Sequence, residues 1–433
     1  MSSVKSLYKG NPGYSLLLFI GRVSYFLSFR RIKIVGKENL PKDAKVIFGA
    51  NHCAAVMDAL ALHMLNREKK VFVARADIFK KPLFQKLLTF LKLMPINRVR
   101  DGFYSVLQVE DTIRDSLEVL NNRTSFCIFP EGTHRPMHSL LPLGKGLSRI
   151  AYQTAKGSED EKHVVIVPVG LEYGDYFRMR STLLIHVAEP FDVTEFLAEK
   201  GEMEEQRAYN AIKDEMRERL KQEIVYLPDD DTYASSWEIA CISSGDIPER
   251  NLVGRFEANR RIAEKLQELK EKDEGKAKKL FEKAEAYAKA RKDAGVSRHT
   301  AALKHPLAST IFLSLLTLVG MPFALAFFLA SLPVFITNAL LTSRAEDKAF
   351  LNTLRYATSA LLWTLLLIVW AVVLFCNFKW YIAAAALIVL FPAPYLVYDY
   401  KETVRRTVSG WKFLFNGKLR RQRAALYDEI IKI

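Results

Sequence analysis

Three long stretches near the carboxyl terminus contain no charged residue, and they restrict the fold more than any other feature of the chain. They cover residues 307–342, 356–378 and 380–398. The last two are each about the length of one transmembrane helix, since about 20 apolar residues cross the hydrocarbon core of a bilayer. The first is too long for one crossing, and Gly320, Pro322 and Pro333 interrupt it. We therefore predict a transmembrane region over 306–399, with a helical hairpin in the first stretch and single spans in the other two.

Basic residues around these stretches support an even number of crossings. The segment after Asp399 is rich in lysine and arginine, and Arg344 and Arg355 lie in the loop between the first two stretches. Positively charged loops stay on the cytosolic side of a membrane. Four crossings would therefore keep the basic tail, residues 400–433, on the same cytosolic side as the amino-terminal part of the chain.

The charge balance favours an anionic partner. The 433 residues include 63 Lys and Arg against 48 Asp and Glu, which gives a formal net charge of +15. Nucleic acid would attract such a chain, but no recognisable nucleic-acid-binding motif accompanies the charge. An anionic membrane surface is the better partner, because the uncharged stretches already indicate a membrane protein. A transporter is disfavoured, since those stretches offer no charged residue to line a polar path.

Two other regions have distinctive compositions. The apolar run near the amino terminus is interrupted by Arg22, so residues 1–30 are predicted to form an interfacial amphipathic helix, with a helix packed on the domain surface as the alternative. Residues 201–305 are rich in Glu, Lys, Ala and Arg, with a turn at Asp273-Glu274-Gly275. This composition predicts a charged helical arm whose faces are solvated.

The four scattered cysteines suit a reduced, cytosolic setting.

An apolar strand near residue 50 runs directly into a histidine, with a carboxylate six residues later. The histidine is His52, which follows Asn51 at the end of the strand, and the carboxylate is Asp58. A neutral imidazole can take the proton of an attacking hydroxyl, and a carboxylate on its other ring nitrogen fixes the tautomer. In an ideal helix, six residues leave two side chains roughly 120° apart. The pair can therefore meet only through an irregular turn, which the small residues 53–55 permit.

Three further strand-like runs lie beside polar turns. In Phe129-Pro130-Glu131-Gly132-Thr133-His134-Arg135, a buried-looking strand leads to a carboxylate, a glycine, a hydroxyl and a guanidinium. Such a turn can present backbone N–H groups and a cation to a phosphate. The run 94–96 precedes Arg98, and the run 164–173 comes later in the chain. Each run is short, rich in branched residues and bounded by turn formers, which predicts buried strands.

Taken in order, these blocks resemble the glycerolipid acyltransferase family, whose members acylate glycerol-3-phosphate, lysophosphatidate and related lysophospholipids. The matching residues are Asn51, His52 and Asp58, then Pro95 to Arg98, Phe129 to Thr133 and Val167 to Val169. The resemblance extends over residues 31–190. It implies an α/β acyltransferase domain at 31–200, with helices flanking a sheet, ahead of the charged arm and the transmembrane helices.

The resemblance also implies a role for each matching residue. His52 would be the general base that deprotonates the acceptor hydroxyl, and Asp58 would hold it in place. The residues that would bind substrate are two arginines at the acceptor phosphate and the polar residues that shape its pocket, namely Arg98, Arg135, Asn51, Glu131, Gly132 and Thr133. The donor would be a thioester, either acyl-CoA or acyl-acyl carrier protein, and the acceptor a glycerol phosphate or lysophospholipid. No metal and no further cofactor is expected.

Two positions depart from the family pattern. Five residues separate His52 from Asp58 instead of the usual four, as in some glycerol-3-phosphate and dihydroxyacetone-phosphate acyltransferases that look similar. His134 is inserted ahead of Arg135, which moves that arginine one place from the commoner pattern. The alternative to an enzyme is a catalytically inactive, membrane-anchored lipid-binding protein of the same fold. Intact residues in all the matching blocks argue against that alternative.

Overall fold

The computed structural model of the protein describes residues 4–96, 104–157 and 163–433. In chain order the strands are β1 (Phe29–Val35), β2 (Lys45–Ala50), β3 (Lys70–Arg75), β4 (Leu93–Ile96), β5 (Ser125–Ile128), β6 (Val164–Tyr173), β7 (Ser181–Val187) and β8 (Phe191–Asp192). The first helices are α1 (Lys5–Tyr8), α2 (Pro12–Leu27), α3 (Val56–His63), α4 (Pro82–Phe90), α5 (Tyr104–Asn121), α6 (Gly146–Lys156), α7 (Val193–Lys200) and α8 (Glu205–Gln222). The others are α9 (Tyr233–Ser243), α10 (Leu252–Lys272), α11 (Glu274–Asp293), α12 (Arg298–Ala302), α13 (Pro306–Ala330), α14 (Leu332–Ser343), α15 (Leu351–Asn377), α16 (Trp380–Leu390), α17 (Ala393–Phe415) and α18 (Gly417–Ile430).

The strands form one mixed sheet in the order β1-β7-β6-β2-β5-β3-β4, with β8 beside β6. Strand β2 runs parallel to both β5 and β6, and the parallel pairing continues through β3 to β4. Strands β7 and β8 pair with β6 in the antiparallel direction. This mixed sheet with its flanking helices confirms the predicted α/β class.

The central strands are apolar and fully buried. Every residue of β2 and β5 is buried, as expected of parallel strands in an α/β domain. The carboxyl ends of parallel strands meet at one edge of the sheet, and ligands bind outside that edge in open α/β folds. The turn with His52 follows β2 and the turn with Glu131 follows β5, so the fold brings both to this edge.

The chain divides into two compact units. The first consists of residues 1–26, 32–176 and 183–224, and the second of residues 27–31, 177–182 and 225–433. The first unit contains most of the sheet and extends past residue 200, where the acyltransferase domain was predicted to end. Helix α8 accounts for this difference, because it packs against α6 and β6 instead of joining the charged arm.

In the second unit, α10 and α11 are the helical pair predicted from the charged composition. Asp273 separates them, and its side chain caps α11 by accepting a hydrogen bond from the N–H of Lys276 at 2.9 Å. The expectation that the charged faces are all solvated is wrong for Arg291, which is buried and donates to the buried Glu238 at 2.6 Å. The surrounding core explains the burial, since it is built from apolar residues of several helices, including Ile239, Leu266, Leu280, Ala284 and Leu426.

Two helical segments of the described chain, Pro306–Ala330 and Lys348–Asn377, are long and apolar enough to cross a membrane. Helices α16 and α17, bent by 43° at their junction, make a third if they count as one span, whereas α14 is shorter. Helix α13 continues through Gly320 and Pro322, and the chain breaks only at Ser331, beside Pro333. The prediction that Gly320 and Pro322 break the first stretch is therefore wrong. A proline costs one backbone hydrogen bond, but in apolar surroundings the remaining bonds have no better partner than the helix itself. The number and direction of the crossings stay predictions.

Candidate active site

The turn between β2 and α3 brings the predicted histidine and carboxylate together. His52 Nδ1 lies 2.8 Å from Oδ2 of Asp58. Ala55, just before α3, has φ of 51° and ψ of −125°, a conformation that residues other than glycine rarely adopt. This is the irregular turn that the six-residue spacing required. The side chain of His52 keeps 17% of its surface exposed, so its other nitrogen, Nε2, can serve a substrate hydroxyl.

Asp58 is completely buried, and polar groups hold its carboxylate from several sides. The backbone N–H groups of Cys53 and Ala54 each donate to Oδ2 at 2.8 Å. The hydroxyl of Tyr173, on β6, donates to Oδ1 at 2.8 Å. Together with His52, these groups compensate the burial of the charge and fix the plane of the carboxylate.

Asn51 lies beside the pair, but its side chain is engaged with the sheet. Its Nδ2 donates to the carbonyl oxygen of Leu171 at 3.0 Å, and its Oδ1 accepts from the N–H of Leu171 at 2.7 Å. This reciprocal clamp ties the start of the turn to β6 and so positions His52. The predicted contact of Asn51 with substrate stays a prediction.

Glu131 supports His52 through the main chain. One carboxylate oxygen accepts from the N–H of His52 at 2.7 Å, and the other accepts from the N–H of Leu141 at 2.8 Å. Burial raises the pKa of Glu131, although these two hydrogen bonds partly oppose the shift. The glutamate predicted to shape the acceptor pocket therefore also joins the histidine to the loop over residues 130–142.

The same loop holds His52 from its carbonyl side. The N–H of Arg135 donates to the carbonyl oxygen of His52 at 2.9 Å, and the Arg135 guanidinium donates to Ser139 at 3.0 Å. Gly132 has φ of 65° with open space around its missing Cβ, so the left-handed backbone, not crowding, favours glycine there. Thr133 is exposed beside it. Arg135 and the exposed turn thus lie next to the histidine.

Aromatic rings pack around the His52 imidazole. Phe129 stacks on it with ring centres 4.3 Å apart, and His134 meets it edge-on at 5.3 Å. His138 instead pairs with Glu172, with Nδ1 and Oε2 3.0 Å apart. The inserted His134 is thus a neighbour of the candidate base, while His138 anchors the loop to β6.

Arg98, predicted to bind the acceptor phosphate, lies outside the described residues. Tyr173 was not singled out by the sequence, because its link to Asp58 depends on β6 lying beside β2. In the parallel register Ala50 lies opposite Val169, so the next residues of β6, through Leu171 to Tyr173, lie beside the turn. No pattern in the sequence reveals this contact without the strand order.

A family model and several known proteins match the part of the chain that contains this site. Residues 31–172 match the Acyltransferase family model. The 1-acyl-sn-glycerol-3-phosphate acyltransferase of Borreliella burgdorferi is 25% identical over 207 residues, which cover 46% of this chain and 76% of that protein. The chloroplastic 1-acyl-sn-glycerol-3-phosphate acyltransferase of Arabidopsis thaliana is 28% identical over 144 residues, 33% of this chain and 36% of that protein. The match thus spans little more than a third of the plant relative.

Among solved structures, the 1-acyl-sn-glycerophosphate acyltransferase PlsC from Thermotoga maritima is similar to this chain. It is 22% identical, with a TM-score of 0.36, and the match covers 48% of this chain and 77% of that one.

Proposed function

We propose that this acyltransferase, whose residues 31–172 belong to the glycerolipid acyltransferase family, transfers an acyl chain from a thioester donor to the free hydroxyl of lysophosphatidate in phospholipid biosynthesis. The observation that carries the proposal is the 2.8 Å contact between His52 and the buried Asp58. A general base is what the reaction needs, because a neutral hydroxyl is a poor nucleophile. The irregular turn at Ala55 and the backbone clamps around His52 support this role.

The proposed reaction is a direct transfer without an acyl-enzyme. His52 Nε2 takes the proton of the acceptor hydroxyl as its oxygen attacks the thioester carbonyl carbon. A C–O bond forms, the C–S bond breaks, and the imidazolium returns its proton to the leaving thiolate. Asp58 stabilises the imidazolium and holds its tautomer. This general-base route requires no metal or prosthetic group, so the thioester, acyl-CoA or acyl-acyl carrier protein, is the only co-substrate proposed.

The acceptor proposal rests on charge and on the relatives. The bacterial and plant relatives are 1-acyl-sn-glycerol-3-phosphate acyltransferases, and the acceptor in that name is an anionic lipid. Arg135 lies beside the histidine at the edge of the site, and a guanidinium suits a phosphate through paired hydrogen bonds. Arg98 is proposed as a second phosphate ligand from its place in the matching block. Glycerol-3-phosphate, which offers the same phosphate without the acyl chain, is the competing acceptor.

Membrane association on the cytosolic leaflet is part of the proposal. The apolar helices α13 and α15 supply candidate spans, and the basic loops favour the cytosolic side for the catalytic domain and tail. Two helices of the first unit add exposed apolar side chains, namely Leu16 and Phe19 on α2 and Leu83, Phe84 and Leu87 on α4. Exposed lysines lie just before α4, at residues 80 and 81, and within it, at residue 86, which suits an anionic bilayer surface. A Leu83→Glu variant should raise the KM for acceptor in vesicles but not for a water-soluble, short-chain acceptor; equal effects on both would contradict this surface.

A test of the function uses the full chain in lipid nanodiscs with labelled acyl-CoA. Lysophosphatidate, glycerol-3-phosphate and other lysophospholipids are offered in parallel, and the products are identified by mass. We expect phosphatidate from lysophosphatidate, and a His52→Ala loss in turnover of about 10²- to 10⁴-fold. His163→Ala is the matched control, because that histidine is exposed and pairs with Asp192 at the surface.

The outcomes separate the enzyme from its alternative. Lipid binding without transfer to any acceptor, with acyl-CoA or acyl-acyl carrier protein as donor, would favour a catalytically inactive lipid-binding protein. Near-wild-type turnover of a normally folded His52→Ala protein would reject the general-base mechanism. Preferential acylation of glycerol-3-phosphate would correct the acceptor and leave the mechanism in place.

A further inference from the structure

The proposed base depends on a carboxylate that has no contact with solvent. Asp58 is 0% exposed, and its two carboxylate oxygens accept hydrogen bonds from different partners. Oδ2 faces His52 and the backbone of the turn, whereas Oδ1 accepts the hydroxyl of Tyr173 at 2.8 Å. A buried charge requires such donors, and losing one leaves the carboxylate both less stable and less fixed in orientation.

Tyr173 is itself held in place. It is 4% exposed and lies in β6, beside the clamp that Asn51 makes to Leu171. Tyr25 of α2 is completely buried, interacts with Tyr173 and donates its own hydroxyl to the carbonyl oxygen of Met57 at 2.9 Å. The residue next to Asp58 in the chain is therefore tied to the same tyrosine pair. Burial raises the pKa of Tyr173 well above its ordinary value, and the charge of Asp58 adds to the shift. The phenol thus keeps its proton at any working pH.

We propose that Tyr173 is a positioning residue for acyl transfer, whose hydroxyl holds Asp58, and through it the His52 ring, in the orientation that removes the acceptor proton. The inference rests on the proposed function. Tyr173 contacts Asp58, and it would act on the reacting atoms through Asp58 and His52. Its loss should therefore slow turnover while leaving the binding of either substrate nearly unchanged.

The direction of the pH effect follows from the hydrogen bond. The hydroxyl stabilises the ionised carboxylate. Without it, the His52–Asp58 pair binds its proton more tightly, so a higher pH is needed to free the base. The acid limb of the pH profile of kcat/KM should move to higher pH, by about half to one unit. A tyrosine that only fills space in the core would leave this limb where it is.

The experiment compares Tyr173→Phe with wild type in the nanodisc assay, with both substrates varied. Phenylalanine keeps the ring and removes only the hydroxyl. We expect kcat to fall about 10- to 100-fold, the usual effect of losing a hydrogen bond to a charged group, with both KM values within about twofold of wild type. Tyr152→Phe is the matched control, because the Tyr152 ring packs edge-on against Tyr209 of α8. It should retain wild-type kinetics.

A double-mutant cycle identifies the partner. In an Asp58→Asn background, Tyr173→Phe should have almost no further effect, since the group that it positions is already lost. The same fold loss in both backgrounds would overturn the inference, as would a wild-type kcat or an unmoved acid limb for Tyr173→Phe. If wild type transfers acyl chains and His52→Ala does not, any of these contrary results rejects the role of Tyr173 and leaves the proposed function in place. If wild type acylates no acceptor, the proposed function fails and this inference fails with it.

Discussion

Glu131 offers the sharpest test of how the site is built, because two roles for it predict different kinetics. Its carboxylate accepts the N–H of His52 at 2.7 Å and the N–H of Leu141 at 2.8 Å. Glutamine has the same shape, but it provides one acceptor oxygen and one NH₂ donor. In a Glu131→Gln variant, one of the two backbone N–H groups must therefore face a donor. A hydrogen bond to a charged group contributes about 1.5–3 kcal/mol. If its loss displaces His52 and appears entirely in the activation free energy, the rate falls roughly 10- to 150-fold.

We expect Glu131→Gln to lower kcat by about 10- to 100-fold and to leave the acceptor KM within about threefold of wild type. The loss of global stability should be smaller than the kinetic effect suggests, because removing a buried charge offsets part of the lost hydrogen bond. The assay is steady-state transfer with donor and acceptor each varied at saturating partner, and Glu199→Gln, on the exposed face of α7, is the matched control. A raised acceptor KM with unchanged kcat would refute the main-chain role and make Glu131 a direct ligand of the acceptor.

Three further outcomes follow from the same site and from the membrane region. Arg98→Lys should raise the acceptor KM more than the donor KM, because an ammonium cannot replace a bidentate guanidinium; equal effects on both would remove Arg98 from the acceptor site. Burial raises the pKa of Glu131 above 4.5. The stability that this group contributes should therefore fall as the pH rises from its pKa in the unfolded state to its pKa in the folded state. Glu131→Gln should flatten this part of the plot of unfolding free energy against pH. In a Cys-free background, four crossings predict that an impermeant thiol reagent labels Asn377→Cys in sealed, right-side-out membranes but reaches Lys418→Cys only after permeabilisation; the reverse pattern would reject the four-crossing topology.

The sequence indicated that His52 and Asp58 should meet, but it did not indicate most of the contacts around them. The spacing of His52 and Asp58 showed that the turn had to be irregular, and Ala55 provides the distortion. It could not show that Asn51 and Glu131 are bonded to main-chain groups, because a polar side chain after a strand has the same pattern whether it faces a ligand or the backbone. The partnership of Asp58 with Tyr173 spans 115 residues, and only the order and register of the strands determine it.

The membrane region illustrates a different limit. The absence of charge identified the apolar helices, because the cost of burying charge in a bilayer is large and independent of fold. Helix breaks were harder to predict. Pro322 lies inside α13 and Pro333 near the start of α14, although both are prolines in apolar sequence. A proline in an apolar sequence therefore does not by itself show where a helix ends.

The main chain around His52 is held by residues from two other parts of the chain. Glu131 accepts its N–H, the N–H of Arg135 donates to its carbonyl, and neighbouring Asn51 is clamped to Leu171 of β6. Two segments far from His52 in sequence, the loop over residues 130–142 and strand β6, therefore hold the backbone of this turn, while Asp58 fixes the ring. Groups that hold the same element are not independent. A variant that lacks two of these contacts should therefore lose less activity than the two single variants predict together. The order of the blocks in the chain is then the signature of a supported imidazole as much as of a substrate pocket.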